Sequence, residues 1–254
     1  MPKLAFVTGA SEGIGFSIAK KLAASDFVVV GVARDETKLK ALMQVLGPAH
    51  RYVVADLATE VGQQQIVNEL LAEHCDLLVN NAGVGVVGGF ADRPIEQQVA
   101  MVQLNCLAVV RLSHAFLKSA RKGDALVNVS SALAYAPMPG IGLYCATKSF
   151  ITTFTETLWY EQKKKGIYVL ALHPGVTATN FQVHAGGKVE DLPKGMAQTP
   201  DRVADVVIKA LEARSQPSVI SGVRNAIFAG MSRVLPRKSH VSMMGGLMGG
   251  PKPQ

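Results

Sequence analysis

Three side chains have the types and spacing needed for acid-base chemistry: Ser131, Tyr144 and Lys148. Tyr144 and Lys148 are four residues apart, and residues i and i+4 share one face of a helix. An ammonium group beside a phenol favours the phenolate and lowers the phenol pKa from its usual value of about 10. A serine hydroxyl in the same pocket could hold a carbonyl or alcohol oxygen. The three residues therefore predict general acid-base catalysis by Tyr144.

A glycine-rich turn lies between the first predicted strand and the first predicted helix, with the sequence Thr8-Gly9-Ala10-Ser11-Glu12-Gly13-Ile14-Gly15. Glycines let the backbone approach a pyrophosphate at a helix N-terminus, where free N–H groups and the helix dipole favour negative charge. The spacing is G-x-x-x-G-x-G, not the G-x-G-x-x-G of the common dinucleotide fingerprint. Taken alone, the turn therefore also suits a strand-helix connection without a ligand.

The elements that must position these residues alternate along the chain. Short apolar, β-branched segments predict strands at residues 4–7, 27–33, 52–55, 77–79, 125–129, 168–173 and 219–221. Segments of helical period predict helices at residues 14–25, 36–46, 61–73, 96–120, 149–165 and 200–214. This alternation predicts an α/β, Rossmann-like, doubly wound fold, with about seven parallel strands and helices on both faces.

Composition and length favour a single dinucleotide-binding and catalytic domain over residues 1–254. The chain is 48% hydrophobic and 18% charged, which is a globular composition. Residues 175–199 have weak periodicity with several Gly and Pro, and we expect them to form a substrate lid. Residues 236–254 are rich in Met and Gly and are expected to form an irregular, mobile, basic tail.

Charge and cysteine usage exclude several classes of protein. The net charge is +7, but residues 213–254 contain six basic residues and no acid, so the remaining body is almost neutral. That body is not typical of nucleic-acid binding. Three cysteines without a Cys-x-x-Cys pair, and histidines without i, i+4 spacing, predict neither disulfides nor a metal site. The absence of a long apolar run or signal segment predicts a cytoplasmic protein.

The motifs together resemble those of the short-chain dehydrogenase/reductase family. The matching positions follow the family order across residues 4–214: Thr8–Gly15, Asn80-Asn81-Ala82-Gly83, Asn105, Ser131, Tyr144-x-x-x-Lys148 and Pro174-Gly175-x-x-x-Thr179. The resemblance implies an NAD(P)-dependent oxidoreductase acting on alcohol or carbonyl groups. It also implies a homodimer or homotetramer built on the predicted helices 96–120 and 149–165.

The resemblance implies four catalytic residues. Tyr144 would be the acid in reduction and the base in oxidation, and Ser131 would orient the substrate oxygen. Lys148 would hold the nicotinamide ribose and lower the Tyr144 pKa, while Asn105 would anchor a water in a proton relay toward Lys148.

The resemblance also implies where the cofactor binds. Asp56 would lie near the adenine, Asn80 would pack on the cofactor side of the sheet, and the segment from Pro174 to Thr179 would border the nicotinamide. The cofactor-binding residues are expected to be Gly9, Ser11, Glu12, Gly13, Ile14, Gly15, Arg34, Asp56, Asn80, Ala82, Gly83, Tyr144, Lys148, Pro174, Gly175, Val176 and Thr179.

The end of the second predicted strand bears on cofactor choice. Arg34 is placed to pair with a 2′-phosphate, and Asp35 comes one residue later than an acid selecting NAD would. Relatives that prefer NADP often have a second basic residue before the middle glycine, where this chain has Glu12. The sequence favours NADP(H) over NAD(H).

The substrate pocket is expected to form from residues 84–90, 132–141 and 181–196, with Tyr135 and His184 as further candidates for substrate contact. No Arg or Lys occurs in residues 132–143, which favours a small apolar substrate. The leading hypothesis is NADPH-dependent reduction of an apolar ketone or 3-oxoacyl group. The alternatives are an NAD-dependent alcohol or hydroxysteroid dehydrogenase and a catalytically silent dinucleotide sensor.

The basic tail keeps three interpretations open: a disordered end, a flap or subunit contact, and a weak membrane-surface element. The third would make the protein peripheral at a membrane, because basic amphipathic segments attract anionic lipid.

Overall fold

The computed structural model describes residues 2–186 and 197–247. Seven parallel strands form one sheet with the order β3-β2-β1-β4-β5-β6-β7. The strands are β1 Lys3–Thr8, β2 Phe27–Ala33, β3 Arg51–Val54, β4 Leu77–Asn80, β5 Ala125–Val129, β6 Tyr168–His173 and β7 Ser218–Ile220. The predicted Rossmann-like, seven-stranded parallel sheet is confirmed.

Ten α-helices connect and flank the strands within the described residues. They are α1 Gly13–Ala23, α2 Glu36–Leu46, α3 Glu60–Ala72, α4 Ile95–Val102, α5 Val109–Ser119, α6 Gly142–Gln162, α7 Phe181–His184, α8 Pro200–Ala213, α9 Val223–Val234 and α10 Arg237–Leu247. Helix α1 packs beside α8, and α3 packs beside α5.

The sheet is buried on both faces, which explains why its strands are apolar at successive positions. Ala5 and Val7 of β1 belong to the buried cluster that includes α1 and α8 residues. Phe6, between them, belongs to the cluster that includes α3 and α5 residues. Alternating side chains of one strand thus enter opposite cores, which matches the two-residue period of β-structure.

Helices α4 and α5 form one continuous helix through a π-helical turn at Gln103–Ala108. By length and composition this helix, Ile95–Ser119, could cross a membrane. However, 56% of its most apolar window is buried inside the protein, as expected for the core helix of a globular domain. The π turn contains Asn105, and such turns are frequent at functional sites.

Two expected boundaries differ from the structure. The helix expected at 149–165 begins earlier, at Gly142, so that Tyr144 and Lys148 both lie within it. The expectation of an irregular segment after residue 236 is wrong for Arg237–Leu247, which forms α10 despite two glycines. The mobility of the tail stays a prediction. Residues 187–196 of the expected lid and 248–254 of the tail lie outside the described residues.

Candidate active site

The candidate site lies at the carboxyl edge of the sheet. Because all strands are parallel, the segments that follow β1, β4, β5 and β6 emerge at this one edge. The chain reverses its direction of sheet growth between β1 and β4, and ligands of open α/β sheets bind at such a switch point. The glycine-rich turn follows β1, and Ser131 follows β5. The sequence-predicted site residues therefore converge here.

Helix α6 positions Tyr144 and Lys148, and both side chains are buried. The Lys148 Nζ donates a hydrogen bond to the Val129 carbonyl oxygen at 2.9 Å, which ties α6 to the end of β5. The same Nζ lies 5.7 Å from the centre of the Tyr144 ring. The expected pairing of these two side chains on one helix face is thus present.

The ionisation of Tyr144 differs from the sequence-based expectation. Burial raises the Tyr144 pKa to about 12, although a hydrogen bond with the Ser131 side chain acts in the opposite direction. Burial also lowers the Lys148 pKa to about 8, because an ammonium group loses its hydration inside the protein. The net shift of the Tyr144 pKa is thus upward, because loss of solvation dominates it. The lowering of this pKa by Lys148 stays a prediction.

Ser131 begins a short 3₁₀ helix, Ala132–Tyr135, directly after β5. Its Oγ accepts a hydrogen bond from the Leu133 backbone N–H at 3.1 Å, which fixes the side-chain direction. Its side chain is also close enough to the Tyr144 hydroxyl to oppose the rise of the Tyr144 pKa. Ser131 and Tyr144 can therefore contact the same substrate oxygen.

Asn105, in the π turn, is buried and fully engaged with neighbouring groups. Its Oδ1 accepts from the Val84 N–H at 3.0 Å, and its Nδ2 donates to the Val84 carbonyl oxygen at 2.9 Å. Nδ2 also donates to the Thr147 Oγ1 at 3.1 Å. Asn105 thus joins the segment after β4 to the catalytic helix. The expected water relay stays a prediction.

The glycine-rich turn leaves no room for side chains at two positions. Gly9 has a φ of +65°, and a Cβ there would lie 2.9 Å from the Ala82 Cα. A Cβ at Gly15 would collide with the Gly9 carbonyl oxygen. Gly83, across the site, is also constrained: its Cβ would lie 3.3 Å from the Lys148 Nζ. Glycine at these positions therefore lets the turn, the start of α1 and the end of β4 pack closely together.

The site fits a pyrophosphate at the N-terminus of α1. Glu12 precedes this helix, and its side chain makes no capping hydrogen bond. The first N–H groups of the 11-residue helix thus remain available for an anion. Ser11 and Ile14 flank this end, and Ile14 also packs against the core. The residues present therefore fit the dinucleotide that the fold implies.

Thr8 and Asn81 lie within two of the sequence motifs, but neither was predicted to be a functional residue. The Thr8 Oγ1 accepts hydrogen bonds from the Asn81 and Ala82 backbone N–H groups at 2.9 and 3.0 Å. The Asn81 Nδ2 donates to the Thr8 carbonyl oxygen at 2.9 Å. These bonds hold the glycine-rich turn against the end of β4. Their positions inside the two motifs are the sequence signal that could have identified them.

Asn80 has a structural position inside the sheet. Its Nδ2 donates to the Asn128 Oδ1 at 2.9 Å and to the Ser113 Oγ at 3.2 Å. These bonds connect β4 to β5 and to α5. Its predicted contribution to cofactor binding stays a prediction.

The ends of β2 and β3 carry the groups that would meet an adenosine. The Arg34 Nη1 is exposed and lies 4.0 Å from the Asp56 Oδ2, while the Asp56 Oδ1 accepts from the Ala58 N–H at 3.0 Å. Lys38, on α2, supplies a second cation that sequence reasoning missed. Its Nζ donates to the Glu12 Oε2 at 2.7 Å, so it reaches the glycine-rich turn.

Glu12 is also bound by the segment after β6. The Asn180 Nδ2 donates to its Oε2 at 3.1 Å, and the His184 Nδ1 lies 3.3 Å from its Oε1. Burial alone would raise the Glu12 pKa, but the hydrogen bonds from Lys38 and Asn180 and the charges of Lys38 and His184 hold it below its ordinary value. His184 therefore faces the cofactor side of the site.

The segment from Pro174 to Thr179 lies beside the glycine-rich turn. The Pro174 carbonyl oxygen accepts from the Ala132 N–H at 2.8 Å, and a Cβ at Gly13 would lie 3.0 Å from the Thr179 Cγ2. The Val176 carbonyl oxygen accepts from Gln198, and Gly175 packs against the Asn225 side chain of α9. The segment expected to border the cofactor is thus in contact with the glycine-rich turn and with the 3₁₀ helix that follows Ser131.

The three segments expected to line the substrate pocket meet next to Tyr144. The Val87 N–H donates to the Ala185 carbonyl oxygen at 2.9 Å, and the Gly88 N–H donates to the Gly140 carbonyl oxygen at 2.7 Å. The Phe181 ring lies 5.4 Å from the Tyr144 ring, between centres. Tyr135 instead shares a hydrogen bond with the buried His173 at 3.1 Å.

A separate group of potential metal ligands lies near the opposite, amino-terminal edge of the sheet. The His74 Nε2 is 3.7 Å from the Asp76 Oδ1 and 3.4 Å from the Asp124 Oδ1. The second oxygen of each carboxylate accepts a backbone N–H, from Leu4 and Arg121 respectively. These partners suffice to explain the cluster. The expectation of no metal site stays a prediction.

Known proteins are similar to this chain in both sequence and fold. A family model described as short chain dehydrogenase matches residues 3–189. The chain is 31% identical to a probable oxidoreductase EphD of Mycobacterium bovis, over 92% of this chain but only 43% of that longer protein. It is 27% identical to the 3-oxoacyl-[acyl-carrier-protein] reductase FabG of Haemophilus influenzae, over 90% of this chain and 98% of the relative.

A solved structure supports the same comparison. A short-chain dehydrogenase from Sphingobium yanoikuyae in complex with NADPH superposes with a TM-score of 0.81 and 29% identity. The match covers 92% of this chain and 96% of that one.

Proposed function

The chain belongs to the short-chain dehydrogenase family, and from this premise we propose that it reduces an apolar ketone or 3-oxoacyl group with NADPH. The family membership makes it an NAD(P)-dependent oxidoreductase. The observation that carries this proposal is the meeting of Ser131, Tyr144 and Lys148 at the carboxyl edge of the sheet, where the Tyr144 phenol can donate its proton to a carbonyl oxygen.

The residues of the site divide the work of this reduction. A reduced nicotinamide held at this site would supply the hydride for the carbonyl carbon. Ser131 orients the carbonyl oxygen, and Tyr144 donates its phenol proton to that oxygen. Lys148, whose Nζ lies 5.7 Å from the centre of the Tyr144 ring, would hold the nicotinamide ribose beside the tyrosine.

An apolar substrate is supported by the side chains around Tyr144. The segment after Ser131 consists of small and apolar residues, and the Phe181 ring covers the tyrosine. Such walls favour a substrate without charge close to the carbonyl group. The FabG relative, named for a 3-oxoacyl substrate, is consistent with this class.

A preference for NADPH is supported by two cations near the end of β2. Arg34 is exposed, and the Lys38 Nζ is within hydrogen-bonding distance of the glycine-rich turn. Guanidinium and ammonium groups both form strong charge-assisted hydrogen bonds to phosphate. The Sphingobium relative binds NADPH, as its name states.

The direct test is Tyr144→Phe. We expect turnover of NADPH with a panel of ketones and 3-oxoacyl thioesters to fall by more than about 100-fold, since general acid catalysis contributes on that scale. NADPH affinity, measured by fluorescence titration, should change little. Tyr160→Phe, at an exposed position on the same helix, is the matched control and should remain active.

Three outcomes of this test differ in meaning. Near-normal turnover by Tyr144→Phe would refute the role of the phenol. Oxidation of alcohols with NAD, and no reduction of any ketone, would favour the dehydrogenase alternative. Tight cofactor binding without turnover of any substrate class would support a dinucleotide sensor.

We further propose that the protein is a homodimer or homotetramer of the cytoplasm. Leu107 of the π turn and Phe150 of α6 are exposed apolar residues on neighbouring helices. The three cysteines are free and buried, which suits a reducing compartment.

A further inference from the structure

Helix α9 carries an exposed apolar stripe. Val223, Ile227, Met231 and Val234 are 77%, 58%, 54% and 80% exposed. Their spacing of three to four residues places them on one side of the helix. Scattered exposed apolar residues are ordinary, whereas an aligned row over three turns is typical of an interaction surface.

The opposite side of α9 is already occupied, so the stripe is its outer face. Ala229 and Ser232 are buried, and the helix packs against the 3₁₀ helix that follows Ser131. The Asn225 Nδ2 donates to the Ser221 carbonyl oxygen at 2.6 Å. The helix is therefore docked on the protein by its inner side.

The stripe is accompanied by positive charge. Arg224 lies on the exposed side of α9, and Arg237 and Lys238 begin α10. None of these three side chains forms an ion pair with any described residue, and residues 213–254 contain no acid. Val241 and Met243 of α10 are further exposed apolar residues.

We propose that this α9–α10 face binds the surface of an anionic phospholipid bilayer. Apolar side chains would enter the boundary between headgroups and acyl chains, and the basic residues would meet the lipid phosphates. A symmetric contact with a second copy is disfavoured, because a twofold axis would set the positive patch against itself without any acid to neutralise it.

The position of this face indicates what lipid binding would do for the enzyme. Helix α10 and residues 134–149 line an open pocket of about 300 Å³, to which α10 contributes Arg237 and Val241 and the other segment contributes Pro137 and Met138 among others. Residues 134–141 also belong to the expected substrate-lining segment. An enzyme docked by this face would present that segment beside the bilayer. The inference does not rest on the proposed substrate, because lipid binding is measured without turnover.

Vesicle sedimentation tests the inference. The full-length protein would be mixed with vesicles of phosphatidylcholine alone, or of phosphatidylcholine with phosphatidylglycerol, at low and high salt. We expect binding to the anionic vesicles, with at least tenfold weaker binding to neutral vesicles and at high salt. The double variant Ile227→Glu/Met231→Glu should lose at least tenfold in anionic-vesicle binding.

The controls separate surface chemistry from folding and assembly. Val61→Glu/Leu71→Glu places the same charges on the exposed apolar side of α3 and should bind vesicles like the wild type. Both double variants should keep the wild-type melting temperature and native mass. Equal binding to neutral and anionic vesicles, or none to either, would overturn the inference. A loss of native mass specific to Ile227→Glu/Met231→Glu would instead assign the face to subunit contact.

Discussion

Burial acts in opposite directions on the two ionisable side chains of helix α6. It raises the Tyr144 pKa to about 12 and lowers the Lys148 pKa to about 8, in each case because water no longer solvates the charged form. Both shifts favour the uncharged pair. The site therefore holds a protonated phenol beside an ammonium group that loses its proton more easily than an exposed lysine does.

Burial of the charged Lys148 ammonium group lowers the free energy of unfolding, and a neutral side chain at this position would remove that penalty. We expect Lys148→Met to abolish turnover but to stabilise the cofactor-free protein at pH 7 by on the order of 1–3 kcal/mol. In the wild type, the unfolded lysine keeps its proton to about pH 10.5, whereas the folded one loses it near 8. The wild type should therefore gain stability from this group between those two values.

Thermal unfolding at pH 7 and at pH 10 checks this prediction. The difference in melting temperature between Lys148→Met and the wild type should be large at pH 7 and small at pH 10. Lys209→Met, at an exposed position on α8, should leave the melting temperature nearly unchanged at both. A Lys148→Met protein less stable than the wild type at pH 7 would contradict the argument.

The sequence predicted the acid-base residues better than their ionisation. Four-residue spacing suffices to place Tyr144 and Lys148 on one helix face, because helix geometry is local. Their pKa values depend on burial, which arises from segments far along the chain. Lys38 was not predicted as a site residue for the same reason, since nothing in the sequence shows that its side chain reaches Glu12.

Glu12 connects three elements around the cofactor site. It precedes α1, accepts a hydrogen bond from Lys38 of α2, and contacts Asn180 and His184 at the two ends of α7. Its carboxylate thereby neutralises one of the two cations near the end of β2. We infer that Glu12 limits the affinity for a 2′-phosphate.

We expect Glu12→Gln to increase the preference for NADPH over NADH roughly threefold to tenfold, because the Lys38 charge is no longer compensated. The measurement is the ratio of kcat/KM values for the two cofactors. That ratio cancels the general effect of removing a negative charge near the pyrophosphate.

Two variants with the opposite charge change serve as controls for Glu12→Gln. Arg34→Ala and Lys38→Met should each lower the ratio, since each removes a cation from the phosphate side. An unchanged ratio in Lys38→Met would show that Lys38 does not meet the phosphate, and the Glu12 prediction would fail with it.

Element types were easier to predict than element ends. The strands follow from their apolar composition, and the continuous helix at 95–119 follows from its period. The true start of α6 was obscured by Gly140 and Gly142, which locally disfavour a helix. Helix α10 forms despite Gly245 and Gly246 because its residues pack on the protein: Met244 is buried, and Pro139 lies next to Gly245.

At the scale of the whole molecule, exposed apolar residues on the π turn and α6 favour assembly of several copies. We expect Phe150→Glu to convert a dimer or tetramer into smaller species, since a buried carboxylate without a partner is costly at an interface. Light scattering after size-exclusion chromatography measures the mass. Val61→Glu should keep the wild-type mass, and a monomeric wild type would exclude the proposal.

The strand order also determines at which edge of the sheet each strand can join as the chain is synthesised. Strands β1 to β3 are made first and extend the sheet in one direction, and β4, β5, β6 and β7 then join in turn at the other edge. In a sheet that forms during synthesis, the outermost strand on that side has an unpaired edge until the next strand joins it. The glycine-rich turn emerges long before Tyr144 and Lys148. The nascent chain therefore carries half of a nucleotide cradle well before it can catalyse anything.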